Sequence, residues 1–133
     1  MIGIDGSDNS RKAFTKAAEL AEKFESEVII ISVIPREIKM VIIQAELLNG
    51  SIFAETEKMV AELELDLKAR GLKAKGKMVF GDVASEILKA CEEEGCDLIV
   101  VGSKGLGKVD RFLIGSIASK VIEHAKVPVL VVR

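Results

Sequence analysis

The chain has no tryptophan and no tyrosine, a single histidine and only two cysteines among its 133 residues. Each scarcity closes a door. Cys91 and Cys96 stand five apart with no second pair, and His124 has no companion, so neither a zinc ligand set nor a CxxC redox motif can be assembled. The two thiols therefore read as buried or idle. Charge of one sign is also lacking: 19 basic residues face 21 acidic ones, which gives no polyanion-binding surface and argues against a nucleic-acid partner. Nor is there a long hydrophobic run. "VIIISVI" and "VPVLVV" are strand-sized and well short of the about 20 residues a membrane helix needs. The amino-terminal "MIGIDGSDNS" carries Asp5 and Asp8 where a signal peptide would carry bases. A cytoplasmic protein with no membrane partner is the expectation.

What is present is a regular alternation. Apolar runs of strand character take turns with stretches of helical spacing from end to end, the pattern of an α/β fold in one domain spanning residues 1–133. "MIGI" leads into "DGSDNS", where Ser7 or Asp8 can cap a helix with Ala13, Ala17, Ala21 and Phe24 on one face. "EVIIISVI" is apolar on both faces, as a strand inside a doubly covered sheet must be. From Pro35 to Gly50 the period is unclear and a partly helical excursion is expected. A firmer helix runs from about Ser51 to Arg70, with Phe53, Met59, Val60, Leu63 and Leu67 inward and Gly71 ending it. In "LKAKGKMVF", Lys73, Lys75 and Lys77 mark a guarded sheet edge. "GDVASEILKACEEEG" is the next helix, with Ala84, Ile87, Leu88 and Cys91 inward; its acids Glu92 to Glu94 run against the helix dipole. "CDLIVV", "SIASKVIEHA" and "VPVLVVR" complete five strands and four main helices.

The stretch "VVGSKGLGKVDRFLIGS", Val100 to Ser116, fits two phosphate-binding patterns. In the first, Gly102, Gly107 and Lys108 spell the ATPase loop GxxxxGK, but the hydroxyl residue that should hold magnesium is Val109 and no capped helix follows. In the second, Gly102 and Gly105 follow a buried strand and Gly115 and Ser116 open the helix "SIASKVIEHA". Bare backbone there can admit a phosphate and adopt positive φ, and the helix amides, the Ser116 hydroxyl and the dipole point at one anion. Lys108 and Arg111 against Asp110 add local positive charge. The second reading uses its residues better. Asp5, just past the first strand, would share the crevice with Gly102 if the first and fourth strands are neighbours; a carboxylate there suits a ribose hydroxyl or a water-bound metal. Turn glycines and an ordinary helix cap remain the plainer explanation of each residue alone. GxGxxG is absent after the first strand.

With "IDGSDNS", "GDVASEIL", "CDLIVVGSKG" and "GSIASKVIEHAKVPVLVVR" in view, the chain resembles the universal stress protein family over essentially its whole length. Gly102, Gly105, Gly115 and Ser116 fit that family's nucleotide motif G-x2-G-x9-G-S/T with its spacing intact. The resemblance implies a doubly wound five-stranded parallel sheet in the order 3-2-1-4-5, helices on both faces, of the adenine nucleotide alpha hydrolase-like type. It also implies ATP or a related adenine nucleotide at the switch point, with magnesium or manganese carried on the phosphates. Carried over by position, Asp5 lies near the ribose or metal, Val33 offers backbone contacts to adenine, Gly102 and Gly105 hold the ribose–phosphate side, and Gly115, Ser116 and Ile117 wall the phosphates. Only Met1 to Ile4 precede Asp5, a short first strand for that family, and Gly3 stands where nucleotide-binding members can carry proline.

His124 matches a histidine common near the end of the last helix and is expected to pack or hydrogen-bond. The apolar edge "VPVLVV", Val127 to Val132, calls for a cover; a homodimer through this strand supplies one and is the assembly the resemblance implies. Three functions stay open on the sequence: an ATP-binding regulator of the stress response with an unknown protein partner, a slow ATPase or nucleotidyl-transfer enzyme without a visible partner base for Asp5 or Asp110, and a dimerisation module that binds no nucleotide. No catalytic or metal-ligating residue is nominated.

Overall fold

The computed structural model describes residues 1–36, 52–107 and 113–133. The excursion expected between Pro35 and Gly50 thus lies almost wholly outside the described residues, as do Lys108, Val109, Asp110 and Arg111. Among the described residues the chain runs β1 (Ile2–Gly3), α1 (Asp8–Phe24), β2 (Val28–Pro35), α2 (Ile52–Ala69), β3 (Ala74–Gly81), α3 (Val83–Glu93), β4 (Ile99–Gly102), α4 (Ser116–His124) and β5 (Val129–Val132). All strand pairs are parallel and the order is β3-β2-β1-β4-β5.

That order follows from where each helix can bury its apolar face. Ala13, Phe14, Ala17, Ala18 and Ala21 of α1 and Val60 and Leu67 of α2 pack with Ile2, Ile4, Val28, Ile30 and Val100 on one side of the sheet. Ala84, Ile87, Ala90 and Cys91 of α3 and Ala118 and Val121 of α4 pack with Ile31, Ile99 and Val101 on the other. Alternate residues of the same strands thus serve opposite layers, which is why the central strands are apolar at nearly every position, with Ser32 of β2 the buried polar exception. The winding reverses between β1 and β4, leaving a crevice at their carboxyl ends.

The central β1 is short but tied on both sides. Ile2 and Gly3 stand level with Ile30 and Ile31, the Ile4 amide donates to Ile31 at 2.9 Å, the Val100 amide donates to Met1 at 2.8 Å, and Ile2 is fully buried.

Helix ends behave as their residues dictate. Ser7 caps α1, its hydroxyl accepting from the Ser10 amide at 3.2 Å, and Asp82 caps α3 by accepting from the Ser85 amide at 3.0 Å. Gly71 and Gly95 take the left-handed conformation that ends α2 and α3, at φ 80° and 63°. Phe24 departs from expectation. It continues the face of Ala13, Ala17 and Ala21, but it is the last residue of α1 and 74% exposed, because the core stops beneath Ala21 and Phe14 supplies the buried ring instead.

The acids of α3 find their explanation across space. Glu94 bonds to Lys77 and Lys75 of β3, which hold its carboxyl below the usual range, Glu92 pairs with Lys126 at 3.0 Å, and Glu93 lies 3.9 Å from Lys89. Bases on β3 and after α4, with Lys89 of α3 itself, thus offset the unfavourable dipole.

Candidate functional site

The crevice is built by three segments that meet beyond the ends of β1 and β4. Asp5 leaves β1 and turns at Gly6, whose φ of 82° is one that a side chain would strain. The turn brings Ser7 back onto Asp5: Oδ1 accepts from the Ser7 amide at 3.0 Å and from the Ser7 hydroxyl at 2.6 Å. One carboxylate oxygen is therefore committed to holding the turn. The other, Oδ2, lies 2.6 Å from where a Cβ on Gly105 would be. Gly105 is bare because the Asp5 carboxylate occupies its side-chain space.

Gly102 is bare for a different reason. A Cβ there would sit 2.8 Å from the Asn9 carbonyl carbon and 2.9 Å from the Ser10 nitrogen, so its missing side chain lets the first turn of α1 press against the end of β4. The Ser7 hydroxyl also lies 3.4 Å from the Lys104 carbonyl oxygen, and Asn9 Nδ2 donates to Ser103 Oγ at 3.4 Å. Gly115 closes the third side. Its amide donates to the Ser103 carbonyl at 2.7 Å, and an added Cβ would stand 3.3 Å from that oxygen and 3.4 Å from the Lys104 Cα. None of Gly102, Gly105 and Gly115 has positive φ. The expectation that glycines at this site supply left-handed backbone is thus corrected: close approach between segments requires them, and Gly6 is the one glycine here with left-handed backbone.

Ser103 was not singled out by sequence reasoning, yet it joins the segments. It is 3% exposed, donates its amide to Val132 at 2.7 Å, accepts at its carbonyl from Gly115 and at its hydroxyl from Asn9. A small hydroxyl residue directly after a buried strand was the available signal.

The other sequence-nominated residues fall on the same end of the sheet. Gly115 is the N-cap of α4 and makes no side-chain cap bond, so the opening of that helix has no side-chain acceptor of its own; Ser116 and Ile117 in its first turn are exposed. Extending the pairing of Gly3 with Ile31 by two residues sets Asp5 level with Val33, and extending Ile2–Val100 sets Ile4 level with Gly102. Val33 is half-buried on β2 beyond the end of β1. His124 donates its Nδ1–H to the Lys120 carbonyl oxygen, 2.9 Å away, the hydrogen bond expected of it. Among the described residues, no group of three or more His, Cys, Asp or Glu is placed to hold a metal ion, and no helix is long and apolar enough to cross a membrane.

A sheet wound 3-2-1-4-5 with an acidic turn after β1 and a paired-glycine loop after β4 has clear relatives. The family model described as the universal stress protein family matches residues 1–133. The chain belongs to the universal stress protein family. The universal stress protein YxiE of Bacillus subtilis is 34% identical over 148 residues, an alignment covering 100% of this chain and 97% of that protein. Among solved structures, hypothetical protein MJ0577 superposes with a TM-score of 0.83 at 33% identity, over 98% of this chain and 93% of that one. A universal stress protein crystallised in complex with cAMP superposes at 0.73 with 26% identity, over 99% and 93%. The universal stress protein fold, including its strand order, is thus the fold of this chain.

Proposed function

We propose that the protein is a cytoplasmic regulator of the stress response that binds an adenine nucleotide, with ATP as its ligand, in the crevice between β1 and β4. The observation that carries this reading is the convergence of Asp5 and Gly115 on the loop 103–105, which packs three sequence-distant segments together at the switch point. The cAMP complex of a family member supports the ligand class.

In this reading the amides at the start of α4, with the Ser116 hydroxyl, receive the phosphates, favoured by the positive end of the helix dipole. Ile117 walls that side, and Gly102 and Gly105, by letting α1 and the Asp5 carboxylate approach the loop after β4, shape the ribose–phosphate side. The adenine lies against the Val33 backbone, and Asp5 Oδ2, the oxygen not held by Ser7, meets the ribose or a metal. Magnesium or manganese arrives on the phosphates, since the described side chains offer it one carboxylate rather than a cluster. Nucleotide occupancy then changes how α4 and the loop before it present themselves to a protein partner, and β5 pairs with its copy in a homodimer.

Gly115→Val tests the assignment. Its side chain would push against the Ser103 carbonyl and Lys104 backbone and narrow the opening. Because the chain has no Trp or Tyr, retained nucleotide dominates its ultraviolet spectrum. The wild type is expected to bind added ATP, and Gly115→Val to lose at least about tenfold in affinity, about 1.4 kcal/mol, by titration calorimetry. Equal ATP affinity in the two proteins would remove the loop from the binding site.

A further inference from the structure

At the opposite end of the sheet, α3 closes in a Schellman turn. The Cys96 amide donates to the Cys91 carbonyl at 2.9 Å and the Gly95 amide to the Glu92 carbonyl at 3.2 Å, with Gly95 in left-handed conformation. This motif brings the side chain of the third-from-last helical residue against that of the second residue beyond the cap, usually as an apolar contact. Here both positions are cysteine. The Cys91 thiol lies 3.7 Å from the Cys96 carbonyl; Cys91 is buried and Cys96 half-buried. Both line a concavity of about 320 Å³ whose apolar wall is Leu88, Ile99 and Val127 and whose charged wall is the Glu92–Lys126 pair.

The two thiols are not equivalent. Burial first, and then the charge of the neighbouring Cys96, push the Cys91 thiol up, so it ionises reluctantly. A buried thiol beside a more accessible one has the arrangement of a resolving residue beside an attacking one.

We propose that Cys96 and Cys91 form a dithiol–disulfide exchange site whose substrates are small, low-molecular-weight disulfides admitted by this concavity. Cys96, its proton lost to solvent, attacks one sulfur of the substrate RSSR; the S–S bond breaks, a Cys96–S–S–R bond forms and RS⁻ leaves. Cys91 then loses its proton and attacks the Cys96 sulfur, releasing the second RS⁻ and leaving a Cys91–Cys96 disulfide. Two electrons pass from the protein dithiol to the external disulfide, and the two protons reappear on the two released thiols. The second step is intramolecular, so it outruns capture of another RSSR. No residue is shared with the nucleotide crevice, and the exchange stands or falls independently of it.

The test exposes the reduced full chain to hydroxyethyl disulfide and follows free thiols and intact mass. The wild type is expected to lose both thiols and two hydrogens, retain no mercaptoethanol and remain unlinked between chains. Cys91→Ala should trap one mercaptoethanol adduct on Cys96, and Cys96→Ala should react at least about tenfold more slowly than that. Two stable adducts on the wild type, a bond between chains, or unreacted thiols would each overturn the proposal. If Cys91→Ala does not fold, the wild-type mass alone decides.

Discussion

An alanine at Gly102 would drive its Cβ into the backbone of Asn9 and Ser10, which can move only if α1 moves, whereas at Gly105 it would meet only the end of the Asp5 side chain. The two substitutions should therefore separate. Gly102→Ala is expected to lower stability by about 1–3 kcal/mol, measured by urea unfolding. Gly105→Ala should leave stability closer to wild type while weakening ATP binding, because Asp5 must swing away from the crevice about its Ser7 bonds. A larger stability loss at Gly105 than at Gly102 would contradict the geometry. The spacing of Gly102, Gly105, Gly115 and Ser116 was legible in the sequence; the reason for each glycine was not, since it depends on which distant backbone comes to rest beside it.

Among elements, β3 shows how far a pattern reading reaches. Its lysines correctly mark it as a sheet edge, but their partners matter more than their charge: Lys75 and Lys77 hold Glu94, and at Gly76 the edge amide is capped by Glu64 of α2, which accepts from it at 2.8 Å. Gly76 is bare for the same reason, a Cβ there falling 2.6 Å from Val60 and 2.8 Å from Glu64. Glu64→Ala leaves that amide without its acceptor and should cost about 1 kcal/mol, with more self-association at high concentration; Glu64→Gln should restore most of both. Sedimentation and urea melts read the two effects. Helix faces were legible from period alone, with Val60, Leu67, Ala84, Ile87 and Cys91 buried as their spacing requires. Phe24 was misread because period tells which way a residue faces, not whether anything lies beneath it. Likewise Glu92 and Glu94 oppose their own helix but answer bases, Lys126 on one hand and Lys75 and Lys77 on the other, that sequence distance conceals.

For the molecule as a whole, two measurements follow. Ser85 bonds lower the Asp82 carboxyl, Lys68 and the Gly76 amide lower Glu64, and Lys77 and Lys75 lower Glu94, from ordinary values of 3.8, 4.5 and 4.5. A carboxyl with a depressed folded-state value stabilises the fold fully above its unfolded value and loses that contribution as pH falls through the folded one. Unfolding free energy should thus be level with respect to these groups above about pH 5 and decline below it, and flat stability into the acid range would contradict the pairings. The second concerns β5. The Pro128 and Val132 carbonyls accept from β4, so by the alternation of a parallel ladder the Val129 and Val131 backbone groups point away from the sheet. Val131→Pro removes an outward amide while sparing the ladder; it should halve the solution mass if β5 pairs with its copy, and an unchanged dimer mass would place the interface elsewhere.

Ser7 and Lys104 lie 97 positions apart in the chain, and the amino-terminal ammonium of Met1 reaches the Leu98 carbonyl over the same interval. Such wide closures cannot form piecemeal from local segments. Whatever ligand the opening admits is therefore a reporter on the assembled chain: a fragment holding only one of the two ends has half a clasp, and tight capture and complete folding become the same event.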